Sequence, residues 1–161
     1  MPSVTNRLTP ADIIAEARTW IGTPWHQHGN LRGIGANCAA MHLALAQMLG
    51  ITVEALPAEY GQVLLAPDWH LHTKREWFRE AFEHGGHVRA VPVSEMRPAD
   101  ILLFGFGGNP CSHAGILTAI TPALTMLHID FKRQITEESL GGWRRRLRAA
   151  LRLRYLEEHS C

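Results

Sequence analysis

The 161-residue chain has no run approaching 18 consecutive apolar residues, the length that begins to suggest a membrane-spanning helix. A helical bilayer span is therefore excluded. Its opening stretch, MPSVTNRLTPADII, lacks a basic segment followed by an apolar run, so no secretory signal is visible. Cysteine is scarce: Cys38, Cys111 and Cys161 are an odd number without regular spacing. That argues against a disulfide scaffold and for free thiols. Neither sign of charge is in excess, since 16 Lys and Arg face 15 Asp and Glu for a net charge of +1. Nucleic acid is accordingly not an expected partner. Internal repeats and low-complexity linkers are absent too. With 46% hydrophobic and 19% charged residues the composition is that of an ordinary globular protein, and the length suits one domain, 1–161. The charge that is present is uneven: WRRRLRAALRLRY, residues 143–155, holds six arginines and no acid, and such a run suits an acidic surface.

Local signals divide the chain into helices followed by strands. Thr9-Pro10-Ala11-Asp12 reads as an N-cap, a proline at the first helical position and an acid in the first turn. The helix it starts, roughly 10–20, places Ile13, Ile14, Ala17 and Trp20 near one face, and Gly22-Thr23-Pro24 stops it. Residues 22–37, with four glycines, read as a long loop of the kind that often carries function. Met41, Leu45, Met48 and Leu49 then recur at helical spacing from Cys38 until Gly50. Residues 57–84 read as one or two amphipathic helices. After Gly85-Gly86, the segments HVRAVPV, DILLFGF, HAGILTAI, LTMLHIDF and KRQIT are short, β-rich and bounded by Pro, Gly or Asn. Residues 140–156 fit either a helix or a turn leading into a last strand. The expected class is α+β, with N-terminal helices packed on an antiparallel sheet.

The candidate chemistry begins at Cys38, the first residue of its helix. A helix N-terminus carries about +0.5 of a charge and unpaired N–H groups, which favour a thiolate and can hold an oxyanion. The competing reading is a buried structural cysteine. A thiolate needs a general base, and two of the ten histidines stand out. His113 opens HAGILTAI, and His128 lies fifteen residues later in LTMLHID. If these strands pair as a hairpin, both rings fall at one edge of the sheet and His128 can orient His113. His42, one turn after Cys38, is a rival base that points along the helix. The pairs Cys38/His42, His70/His72 and His84/His87 each offer two metal ligands, but none builds a four-ligand signature, so no metal is expected. Cys111 reads as a loop filler and Asp100 as a backbone cap.

The ordered segments WIGTPW (20–25), ANCAAM (36–41), RPADILLF (97–104), SHAGI (112–116) and MLHID (126–130) resemble those of NlpC-type cell-wall cysteine peptidases. The likeness extends to the short form found in phage and gene-transfer-agent tail modules, through SLGGWRRRLRAALRL (139–153). The resemblance implies a papain-like α+β fold and Cys38 as nucleophile. It also implies His113 as base, with His128 orienting it, and no cofactor. The implied substrate is a peptide or isopeptide bond in peptidoglycan stem peptides. Trp25, Asn37 and Ala39 are the expected substrate-side residues. They stand where the family usually has Tyr, Asp and a small residue, and Ala40 stands in a usual Gly position. Other tail-tip or hub proteins are the implied partners, and a virion or release on lysis the implied setting, with the cytoplasm as alternative. A catalytically silent tail-tip protein and a thiol acyltransferase or amidase are the alternative functions.

Overall fold

The computed structural model describes residues 7–158; Cys161 and His159 lie outside them. The first helix, α1 (Pro10–Arg18), starts as the sequence predicts. Thr9 accepts from the Asp12 N–H at 3.2 Å while the Asp12 carboxylate accepts from the Thr9 N–H at 2.7 Å, a reciprocal capping box. Ile13, Ile14 and Ala17 are its buried stripe. The loop that follows contains a short antiparallel ribbon, β1 (Asn30–Leu31) with β2 (Gly35–Ala36). Gly29 is required there, because a Cβ would come within 2.5 Å of the Gly35 backbone. The ribbon leads directly into α2 (Cys38–Met48).

Residues 57–84 resolve into two short helices, α3 (Ala58–Leu64) and α4 (Trp77–Glu83), with a 3-10 turn at Trp69–Leu71 between them. Six antiparallel strands follow: β3 (Val88–Val91), β4 (Ile101–Gly105), β5 (Cys111–Ala119), β6 (Thr125–Ile129), β7 (Ile135–Ser139) and β8 (Leu147–Leu153). Their order is β3-β8-β4-β5-β6-β7, so β4 to β7 form a meander and β8 returns to fill the gap between β3 and β4. Of the two readings of residues 140–156, the turn is therefore the right one. A 3-10 turn over Gly141–Arg146 delivers β8, and α5 (Arg154–Glu158) closes the described chain. The last meander strand starts at Ile135, three residues later than KRQIT suggests, because Asp130–Arg133 make a turn closed by the Arg133 N–H on the Asp130 carbonyl.

The helices sit on one face of the sheet. Strand alternation sends Ile101, Leu103, Ala114, Ile116, Leu127, Ala149 and Leu151 toward them. The opposite residues, Leu102, Phe104, Leu117, Met126 and Ala150, form a second apolar cluster closed by Leu140 and Trp143. Both faces of β4 are thus covered, which is why its five residues are all buried and read as a continuous apolar run. The arginine run is split by this architecture. Arg144, Arg145, Arg146 and Arg148 are exposed, whereas Arg152 is buried in β8 and paired with Asp100 at 2.8 and 2.9 Å. Asp100 still caps its turn through the Arg97 N–H at 2.7 Å, so it has the backbone role read from sequence and an ion pair besides.

Candidate active site

The β5–β6 register pairs Gly115 with His128, which puts His113, two residues earlier, on the same face and diagonal to it. The absent side chain at Gly115 makes the approach possible: a Cβ there would lie 3.3 Å from His128 Cβ and 3.2 Å from the Leu127 carbonyl oxygen. The two rings meet edge to face, with His113 Nε2 and His128 Nδ1 at 2.8 Å. His128 Nε2 in turn lies 2.5 Å from Glu138 Oε1, on the neighbouring strand β7. Trp143, from the 3-10 turn, stacks on His113 at 4.9 Å and donates its Nε1–H to Glu138 at 3.3 Å.

The carboxylate fixes every proton in this chain. Burial pushes the Glu138 pKa up, but the bonds from His128 and Trp143 outweigh it and hold the group below its usual range, so it is ionised and only accepts. His128 Nε2 must then carry a hydrogen, and with that as the ring's single proton Nδ1 is the acceptor. His113 consequently donates from Nε2, and its Nδ1 is the unprotonated nitrogen. That nitrogen has no hydrogen-bond partner among the described residues. Burial beneath Trp143, with the neighbouring His128 and His42 adding to it, pushes the His113 pKa down to about 3.

Cys38 begins α2, where Asn37 is the N-cap. The Asn37 carbonyl oxygen accepts from the N–H groups of Ala39 and Ala40 at 3.0 and 2.7 Å, and its amide donates to the Gln27 carbonyl at 2.6 Å. Both ends of Asn37 are therefore committed inside the protein, and it acts here as a cap. Two of the helix N–H groups expected to hold an oxyanion are occupied by that cap. The N–H of Cys38 has no backbone acceptor among the described residues and lies by its own thiol. The half-buried thiol sits against the Ala114 N–H of β5, with the N–H groups of Cys38 and Ala39 also in reach. Burial nevertheless pushes its pKa up to about 11, opposing those donors and reinforced by the Asp130 charge. Desolvation thus overrides the helix N-terminus, contrary to the expected thiolate.

The Cys38 thiol lies against Ala114, and His113 is the preceding residue of β5. Alternation turns His113 toward Phe104 and Trp143, while Ser112 and Ala114 face α2, and no hydrogen bond joins Sγ to the ring among the described residues. The resting pair is neutral thiol and neutral imidazole. His42 is not placed to act as the base: its ring nitrogens face the Cys38 and Gly115 carbonyls at 2.6 and 3.4 Å. Cys111 is buried in the core, its thiol pushed up to about 12 by burial and by Glu76. No cluster of three or more His, Cys, Asp or Glu suited to a metal ion occurs among the described residues.

Beside Cys38 opens a cavity of about 720 Å³ between the helices and the sheet. Ala39 and the half-buried Trp25 are part of its wall, Trp25 resting edge-on against Phe131 at 4.7 Å. Sequence reasoning missed Glu138 and Trp143. The only signal for Glu138 is register: β7 pairs residue 136 with His128, which puts residue 138 on the same face two positions on.

No protein-family model and no curated protein matches the sequence. Solved structures do match in shape. The chain is similar to the NlpC/p60 domain of the peptidoglycan hydrolase SagA, with a TM-score of 0.61 at 19% identity, covering 91% of this chain and all of that one. It is also similar to an NlpC/p60 family protein from Bacillus cereus, with a TM-score of 0.61 at 17% identity over 93% of this chain. A lipoprotein-like protein of the same family from Staphylococcus aureus gives a TM-score of 0.61 at 14% identity over 92% of this chain. The chain spans 41% and 44% of the length of those last two proteins. In its helices packed on an antiparallel sheet, the chain has the fold of NlpC/p60 domains.

Proposed function

We propose that the protein is a cysteine peptidase that hydrolyses peptide or isopeptide bonds in peptidoglycan stem peptides. The observation that carries this reading is the ordered chain Glu138–His128–His113, whose last residue directly precedes Ala114, the strand residue against which the Cys38 thiol sits. Supporting it, the similar SagA domain belongs to a peptidoglycan hydrolase. In the proposed reaction the His113 ring turns from Trp143 toward α2, and the Cys38 sulfur attacks the scissile carbonyl as its proton passes to His113 Nδ1. Because the resting thiol is neutral, proton transfer accompanies attack rather than preceding it. The Cys38 N–H donates to the developing oxyanion, and the imidazolium, held by His128, returns the proton to the leaving amine. Water activated by the same nitrogen then hydrolyses the acyl-enzyme. No cofactor enters. A tail-associated setting, in a phage-like particle or after lysis, is part of this proposal and rests on the 139–153 segment.

Digestion of purified muropeptides followed by mass spectrometry tests the assignment. Wild-type protein is expected to yield cleaved stems, and Cys38→Ala none. Identical product peaks for both would reject it. A second reading, a silent tail-tip protein, is favoured by one observation, the thiol raised to about 11 with two helix N–H groups already capped. Alkylation by iodoacetamide separates the two. In the catalytic reading, adding a substrate-mimicking peptide speeds modification of Cys38 at neutral pH; in the silent reading the rate stays below that of a free thiol throughout.

A further inference from the structure

The cavity beside Cys38 has a lining that peptide chemistry does not explain. Its volume of about 720 Å³ falls within the ~300–1,000 Å³ of sites that enclose a small molecule. It exists because the short helices do not close on the sheet. No residue of α3 is buried, and Val63, Leu64, Ile51 and Phe82 are only partly buried although they pack on the core. Walls stand on both sides, sheet on one and α3 and α4 on the other, so a flat protein surface does not fit in.

Three polar side chains of the wall are already engaged, and the buried Nδ1 of His87 is a polar wall atom without a hydrogen-bond partner among the described residues. Gln27 donates to the Leu65 carbonyl at 3.2 Å, Asn37 to Gln27, and His42 faces two carbonyls. Burial lowers the His87 pKa and keeps that ring neutral, while Gln47 and Glu54 are exposed at the rim. A peptide or sugar drawn inside would leave its own N–H, C=O and hydroxyl groups unpaired. Hydrocarbon has no such groups, and it restores the dispersion contacts that an unfilled apolar wall lacks. At the Cys38 end, Ser112 and the Cys38 backbone N–H are polar groups of the same lining.

We propose that this cavity binds a long unbranched acyl chain, with its carboxyl or carbonyl end at Cys38. The inference goes beyond stem-peptide cleavage, and its test reads binding rather than turnover, so either can fail without the other. The probe is cis-parinaric acid, a fluorescent long-chain fatty acid, titrated into the full chain and displaced by hexadecanoate or octanoate. Saturable binding of one probe per chain is expected, with hexadecanoate displacing it at least ~10-fold more tightly than octanoate, since each buried methylene adds affinity. Ala46→Trp, which fills the cavity from α2, should weaken binding at least ~10-fold with an unchanged circular dichroism spectrum. The proposal is overturned by unsaturable binding, by equal displacement with the two acids, or by folded Ala46→Trp binding unchanged. A ligand-free dimer that excludes the probe would also overturn it, by giving the cavity to a second copy. Should Ala46→Trp not fold, the chain-length comparison on wild type decides alone.

Discussion

Glu138 has no proton to give at neutral pH, and that property sets the hydrogens of both imidazoles. Its carboxylate can only accept from His128 Nε2, and the requirement passes along to leave His113 Nδ1 free. A glutamine in its place can donate instead. Glu138→Gln is therefore expected to invert the chain and place a hydrogen on His113 Nδ1, the nitrogen that takes the thiol proton in the proposed reaction. Two-dimensional ¹⁵N–¹H spectra of the imidazoles would show the tautomer switch, and stem-peptide turnover should fall by ~100-fold or more, as when a triad base is held in the wrong tautomer. A retained His113 tautomer in the variant would show that the carboxylate does not set it. Little of this was legible in the sequence. His113 and His128 stand out because each sits in an apolar strand pattern, but Glu138 sits in TEES, which reads as an ordinary solvent-facing strand end. Only the pairing of His128 with Thr136 brings it inward.

At the scale of elements, the hairpins from β4 to β7 could be read from sequence because turns bounded by Gly, Pro and Asn separate their apolar runs. The position of β8 could not. Its pairing with β3 and β4 joins residues 43 to 65 positions apart, and periodicity carries no information about such partners. The six-arginine run hid the consequence. Arg152 differs from its neighbours only in facing inward from β8, where it meets Asp100 with both groups almost fully buried. Removing one partner of such a pair leaves a charge without water or counter-charge, at a cost of about 3–5 kcal/mol. Asp100→Asn should thus lower Tm by roughly 10 °C, on the scaling of about 2–4 °C per kcal/mol for a chain of this size. Asp100→Leu combined with Arg152→Met should recover most of that loss, because hydrocarbon of similar volume has no desolvation penalty. Calorimetry on the three proteins checks both statements, and a double variant no more stable than the single one would show that the pair is a net contributor.

For the whole molecule, the burial that builds the site also makes the fold sensitive to acid. The sequence has ten histidines, most of them in polar stretches that read as solvated, and nothing in composition says which ones the core takes in. The structure buries His113 and His42, and burial holds both below the ordinary value of 6.5, His113 at about 3. The unfolded chain protonates these rings near 6.5, while the folded chain does not until much lower. Below 6.5 the unfolded state therefore binds more protons, and stability falls as the pH drops toward about 3. The slope for one such ring approaches 1.4 kcal/mol per pH unit. Between pH 6.5 and 5 nearly all carboxylates of the unfolded chain remain ionised, so the loss in that window belongs to histidine. Wild-type protein should lose on the order of 2–4 kcal/mol there, measured by urea unfolding at constant ionic strength. His113→Gln should have a shallower slope that does not vanish, since His42 and His87 still titrate below the ordinary value. A wild-type stability that is flat across the window would mean that His113 is open to water in solution. In that case the Trp143 stack, and with it the shielded base, would not describe the molecule.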